Sequence, residues 1–140
     1  MIYLDSSALV KQYYDEPGSG KIRPLFLEST MMATASLSYA EVFSALNRKL
    51  RQNVFSSEQY RRAVEAFDVD WKHLDVVPLY EEVLKRARAA LENHDLRAGD
   101  AVQLASALVL AASASAPIEF ASADRKLNAA AGAEGLSLLL

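Results

Sequence analysis

Short apolar runs alternate along the chain with longer stretches of helical period. Ile2-Tyr3-Leu4 predicts a strand ending at Asp5, and Ser7 to Tyr14 a helix stopped by Pro17-Gly18. Ser19 to Ser29 predicts a second helix, with which Pro24 is compatible only near the first turn. Met31 to Ala35 is a short apolar strand. From Ser38 to Gln52, Val42, Ala45, Leu46 and Leu50 recur at helical spacing while Arg48, Lys49 and Arg51 take the other side. Ser57 to Trp71 repeats the pattern with Tyr60, Val64, Phe67 and Trp71. Leu74 to Leu79, β-branched at Val76 and Val77, predicts a strand. Helices are predicted over Tyr80–Glu92, Ala98–Ala112 and Asp124–Ala131, and strands over Ile118–Ser122 and Leu136–Leu140.

Strands that alternate with helices predict an α/β fold with a mostly parallel sheet covered on both faces. No repeat or composition break divides residues 1–140, so one domain is expected. Ligands of such open sheets sit beyond the carboxyl ends of the strands. That rule selects Asp5, which ends the first strand, and Asp124, two residues past Ser122.

Half of the 140 residues are apolar (51%), 24% are charged and the formal net charge is −3. A protein that coats nucleic acid by bulk charge is basic, so that class is excluded, whereas an enzyme with a local basic rim is not. The absence of cysteine removes disulfides, thiolate metal sites and cysteine nucleophiles together, and fits a reducing cytoplasm. Met1–Val10 contains Asp5 with no basic residue ahead of it and does not read as a signal peptide. The Ala-rich run Ala101–Ala116 falls short of a membrane span.

Four carboxylates stand near strand ends or helix starts in small or apolar surroundings: Asp5, Glu41, Asp100 and Asp124. If folding gathers them within roughly 5–6 Å, each pair repels by about 3 kcal/mol at an effective dielectric near 20. Such a cluster needs protons or a divalent ion, and oxygen ligands without Cys or His favour Mg²⁺ or Mn²⁺ over Zn²⁺. Plainer roles compete. Ser38-Tyr39-Ala40-Glu41 has the form of a capping box, and Asp100 and Asp124 suit helix N-termini. Asp5 has no evident packing role.

The run Met1-Ile2-Tyr3-Leu4-Asp5-Ser6-Ser7-Ala8-Leu9-Val10-Lys11 resembles the opening of PIN-domain proteins, specifically the VapC-type toxins of bacterial and archaeal toxin–antitoxin pairs. Ser38-Tyr39-Ala40-Glu41-Val42, Leu96–Ala107 around Asp100, and Phe120–Leu127 around Asp124 are similar to the next three blocks, in family order. Gly99 and Gln103 depart from the third block, which often carries a larger residue and a histidine there. Neither position is an acid, so the departures are expected to bear on helix stability rather than activity.

The resemblance implies a three-layer αβα sandwich and a metal-dependent endoribonuclease. Asp5 and Asp100 would be the principal ligands of Mg²⁺ or Mn²⁺, with Glu41 and Asp124 completing the pocket. Ser7 and Ser122 would bond the carboxylates or the water, a role that competes with ordinary capping. Lys11, Arg48 and Arg125 are the candidates for holding RNA phosphates. A cognate VapB-type antitoxin covering the groove and a homodimer are the expected partners, with Phe26 and Phe43 either lining the groove or in the core. His73 and His94 lie outside the matching blocks. A silent PIN-like binding module is the competing reading. A receiver-type signalling domain fits less well, because Asp5 is followed by Ser6-Ser7 rather than a second acid.

Overall fold

A computed structural model describes residues 1–28 and 30–140. Five parallel strands, β1 (Ile2–Leu4), β2 (Met32–Ala35), β3 (Asp75–Val77), β4 (Glu119–Ala121) and β5 (Ser137–Leu138), form one sheet in the order β3-β2-β1-β4-β5. The expected mostly parallel sheet is parallel throughout. Between the strands run α1 (Ser6–Leu9) with a 3-10 turn (Val10–Gln12), α2 (Ser19–Leu27), α3 (Leu37–Arg51), α4 (Ser57–Trp71), α5 (Glu81–Asn93), α6 (Ala98–Ser113) and α7 (Arg125–Ala133).

Successive strand residues face opposite sides, and the core divides accordingly. Tyr3, Ala33, Ala35, Val77 and Phe120 pack with Val83, Ala87, Leu104 and Leu127 from α5, α6 and α7. Ile2, Leu4 and Ala121 pack with Leu9, Ile22, Val42, Leu46 and Phe67 on the other side. The result is the expected three-layer αβα sandwich. Phe67 is fully buried and stacks edge-on with Tyr13, Phe43 and Trp71. Phe43 and Phe26 pack against this cluster and are partly buried.

The chain starts in the middle of the sheet, builds β2 and β3 to one side, then returns to build β4 and β5 on the other. The strand order therefore reverses between β1 and β4, and the crevice past their carboxyl ends is the place where such a sheet binds ligands.

Three local expectations are corrected. Pro24 lies in the interior of α2, five residues after its start, rather than in its first turn. The carbonyl it leaves unbonded is that of Gly20, an exposed residue open to water, while buried Ile22 anchors the helix. The expected end of this helix at Ser29 lies outside the described residues. The Ser7–Tyr14 helix is a single α-turn tightened into a 3-10 turn. The capping box expected at Ser38–Glu41 is absent: α3 begins at Leu37, and Ser38 and Glu41 bond elsewhere. A capping box does open α4, between Ser56 and Gln59.

Candidate active site

Asp5 is 2% exposed and occupies the carboxyl end of β1, where its backbone N–H donates to Ala121 of β4 at 3.0 Å. It is also the N-cap of α1, a packing role not expected from the sequence: Oδ1 accepts from the Ala8 N–H at 2.8 Å. Ser7 Oγ lies 2.8 and 2.9 Å from the two carboxylate oxygens, and Ser122 Oγ donates to Oδ2 at 2.8 Å. Ser7 Oγ in turn accepts from the Ala123 N–H, and Ser122 Oγ from the Asp124 N–H. The two serines thus stitch the ends of β1 and β4 together around one carboxylate.

Burial pushes the Asp5 carboxyl up from 3.8 to about 6, against the pull of these hydrogen bonds, and the charge of Glu41 adds to the rise. Asp100, in the first turn of α6, is also raised, first by burial and then by the charge of Asp124; Arg97, 3.8 Å from its Oδ2, opposes the rise. At both acids burial is the larger cause of the rise, and a neighbouring carboxylate adds to it. The charge of Glu41 is felt at Asp5 and that of Asp124 at Asp100, so the four acids act on one another as two couples. They do not close into a tight cluster: among the described residues, no three His, Asp or Glu side chains are grouped closely enough to hold an ion together.

Glu41 is fixed by contacts the sequence does not announce. Gln103 Nε2 donates to its Oε1 at 2.7 Å. A Cβ on Gly99 would lie 3.3 Å from its Oε2. Both departures from the PIN pattern therefore lie beside an acid of the site, besides any bearing on helix stability. No periodicity could have revealed this, since Gln103 lies 62 residues from Glu41.

Asp124 is the N-cap of α7, accepting from the Leu127 N–H at 2.8 Å. Asp124→Ala is expected to cost about 1 kcal/mol of stability, and Asp124→Asn close to nothing. Urea denaturation of the two variants measures this, and activity lost in both then reports chemistry apart from capping.

Two clefts flank the acids. One of about 460 Å³ runs from Ser7 and Glu41 along α3 past Ser44 to Arg48. The other, about 310 Å³, is lined by Arg97, Asp100, Asp124 and Arg125. Arg48 and Arg125 are exposed, one in each cleft. Lys11 has a different occupation from the expected one. It is 5% exposed, and its ammonium donates to Glu16 Oε1 at 3.0 Å and to the Pro17 carbonyl at 2.8 Å. The 3-10 turn points it inward, and Gly18, at φ 96°, leaves room for its stem, which a Cβ would approach to 3.3 Å. The exposed Arg61, Arg62, Lys85, Arg86 and Arg88 pair with acids one helical turn away. His94 caps α5 and contacts Glu134, and His73 follows the end of α4.

A parallel sheet whose reversal point carries a buried aspartate with other acids near it defines an α/β domain with an acidic crevice, and the chain belongs to the PIN domain family, whose model matches residues 2–133. Within that family it stands with the VapC-type proteins: it is 31% identical over 135 residues to Ribonuclease VapC45 of Mycobacterium tuberculosis, covering 96% of this chain and 92% of that one. Among solved structures, Mycobacterium tuberculosis VapC20, a sarcin-ricin loop cleaving toxin, superposes with a TM-score of 0.67 at 18% identity, over 93% of this chain and 95% of that one. A toxin–antitoxin complex from Klebsiella pneumoniae contains a chain of the same fold, with a TM-score of 0.62 at 16% identity, over 90% and 88% of the two chains. No helix among the described residues is long and apolar enough to cross a membrane.

Proposed function

We propose that the protein is the toxin of a VapBC-type pair, an endoribonuclease that hydrolyses RNA with Mg²⁺ or Mn²⁺ held by Asp5, Asp100, Glu41 and Asp124. The observation that carries this reading is the buried Asp5 carboxylate at the reversal point of the sheet, held by Ser7 and Ser122 and raised to about 6 by burial, with the charge of Glu41 adding to the rise. The donor chemistry suits a hard divalent ion, all oxygen with no thiolate, and the four carboxylates would have to draw closer to share one. A bound ion of this kind supplies positive charge to the phosphoryl oxygens and an activated water.

The chain's own residues do the rest. Ser7, Ser122 and the Ala8 N–H fix the Asp5 carboxylate in one orientation. Arg48 and Arg125 hold RNA phosphates on either side of the acids. Neither histidine stands at the acids, so cleavage proceeds by attack of water and leaves a 5′-phosphate and a 3′-hydroxyl. End-group analysis of the cleaved RNA tests this; a 2′,3′-cyclic phosphate contradicts it. Arg48→Ala is expected to weaken RNA binding and to lower the salt dependence of log K by about 0.7–1, a change read by titration from 50 to 200 mM salt.

The partner in this reading is a VapB-type antitoxin that lays a basic side chain over the acids, where burial and mutual repulsion leave anionic charge unmatched. The toxin itself is a homodimer acting on RNA in the cytoplasm. Light scattering of the isolated chain and of the chain with its antitoxin checks both associations.

A further inference from the structure

A chain of buried polar groups runs from the central strand to Glu41. Tyr3, Thr34, Ser38 and Gln103 are each at most 1% exposed. The Tyr3 hydroxyl donates to Gln103 Oε1 at 2.8 Å, which fixes which end of the amide carries the hydrogens. The two N–H groups go to Glu41 Oε1 at 2.7 Å and Ser38 Oγ at 2.9 Å. Thr34 has one hydroxyl hydrogen, and the Leu4 carbonyl at 2.6 Å can only accept it, so Ser38 supplies the hydrogen for the 2.7 Å contact between the two hydroxyls. Every donor in the chain is used, and each group has one orientation. The amide that faces Glu41 is therefore locked from behind.

The opposite oxygen of Glu41 has a different surrounding. Oε2 lies against the bare backbone of Gly99, in space that a Cβ would crowd at 3.3 Å. One oxygen is tied by Gln103; the other has no hydrogen bond among the described residues and lies in space that a Cβ at residue 99 would crowd.

We propose that Gln103 and Gly99 together are the positioning device of the acidic pocket: the Gln103 amide holds Glu41 by Oε1, and the Gly99 notch leaves Oε2 free to serve a divalent cation or its water. The proposal rests on the metal-dependent reading given above. It assigns Gln103 a role exercised through Glu41, not through RNA. Groups that orient a metal-binding side chain typically change metal affinity ten- to a hundredfold when removed.

The test measures Mn²⁺ binding to the RNA-free protein by titration calorimetry, with thermal unfolding of the apo-protein alongside. Gln103→Leu should weaken Mn²⁺ binding ten- to a hundredfold. In the Glu41→Gln background the same change should have no further effect, because Gln103 acts only through that carboxylate. Gly99→Ala separates positioning from folding: a helical alanine should leave the unfolding temperature unchanged or higher, yet weaken Mn²⁺ binding about tenfold. If Glu41→Gln leaves Mn²⁺ binding intact, the metal role of Glu41 fails and the positioning role falls with it. If Glu41→Gln weakens binding, but Gln103→Leu and Gly99→Ala do not, or Gln103→Leu adds its full effect to Glu41→Gln, the positioning role alone is overturned.

Discussion

Asp5→Asn is expected to abolish RNA cleavage, by more than a hundredfold, while leaving the protein at least as stable as before. The substitution removes one negative charge and little else. The Asn Oδ1 still accepts from the Ala8 N–H, and Ser7 and Ser122 each keep a lone pair for its amide hydrogens. The carboxylate, by contrast, is costly to fold around. Its proton is held more tightly in the folded chain, at about 6, than in the unfolded chain, at 3.8. That contribution to stability is complete below pH 4 and is lost as the pH rises through 6; the difference corresponds to about 3 kcal/mol at about 1.4 kcal/mol per unit. The metal-free wild type should therefore lose stability between pH 4 and 7, in a direction that the raised Asp100 reinforces. Asp5→Asn should flatten the profile. Thermal unfolding in chelator across that range measures both curves. An Asp5→Asn protein less stable than wild type at pH 7 would show that the carboxylate serves the fold rather than the chemistry.

The second large effect concerns stability alone. Glu16 bridges two cations, Lys11 at 3.0 Å and Lys49 at 3.5 Å, and Lys49 also lies 3.6 Å over the Tyr14 ring. Glu16→Ala leaves the Lys11 ammonium buried with only the Pro17 carbonyl as partner. Removing one member of a buried pair typically costs about 3–5 kcal/mol. Glu16 is itself a quarter exposed, which favours the lower end. The expected loss is about 3 kcal/mol, a drop of roughly 10 °C in Tm for a domain of this size. Lys11→Met in the same background should restore much of it, because the stem already lies against Gly18 and the charge is gone. A Glu16→Ala protein with unchanged Tm would mean that Lys11 escapes to water.

These two carboxylates also mark what sequence can reveal. Asp5 was legible because an acid closing a short apolar run violates the pattern around it, and because strand exits are where such sheets place chemistry. The bounds of α4 were legible too, since its apolar positions keep one period from Ser57 to Trp71. Lys11 reads from the sequence as a candidate for holding RNA phosphates, whereas its burial depends on a left-handed glycine seven residues later and on Glu16, and neither leaves a periodic trace. Ser38 and Glu41 matched a local capping motif, yet long-range partners claimed both side chains. Gln103 stands out only as a departure from the family pattern, and its contact with Glu41 is illegible for the same reason. Its three contacts lie 62, 65 and 100 residues away, and an amide in an apolar helix gives no hint of which acid it will hold. Local pattern thus places the acids at strand and helix ends, and only the packed sheet determines what orients them.

The central claim is that these acids form a metal-dependent nuclease site, and it meets its most direct test in the cleavage of total cellular RNA by the purified, antitoxin-free chain. Reactions with Mg²⁺, with Mn²⁺ and with chelator should be run beside Asp100→Asn, whose side chain lines the smaller cleft from the first turn of α6. Discrete fragments that appear with either ion, vanish in chelator and are lost in the variant are the expected result. Cleavage that persists in chelator, or that Asp100→Asn retains in full, would contradict it, and absence of cleavage with both ions would leave a silent PIN-like binding module.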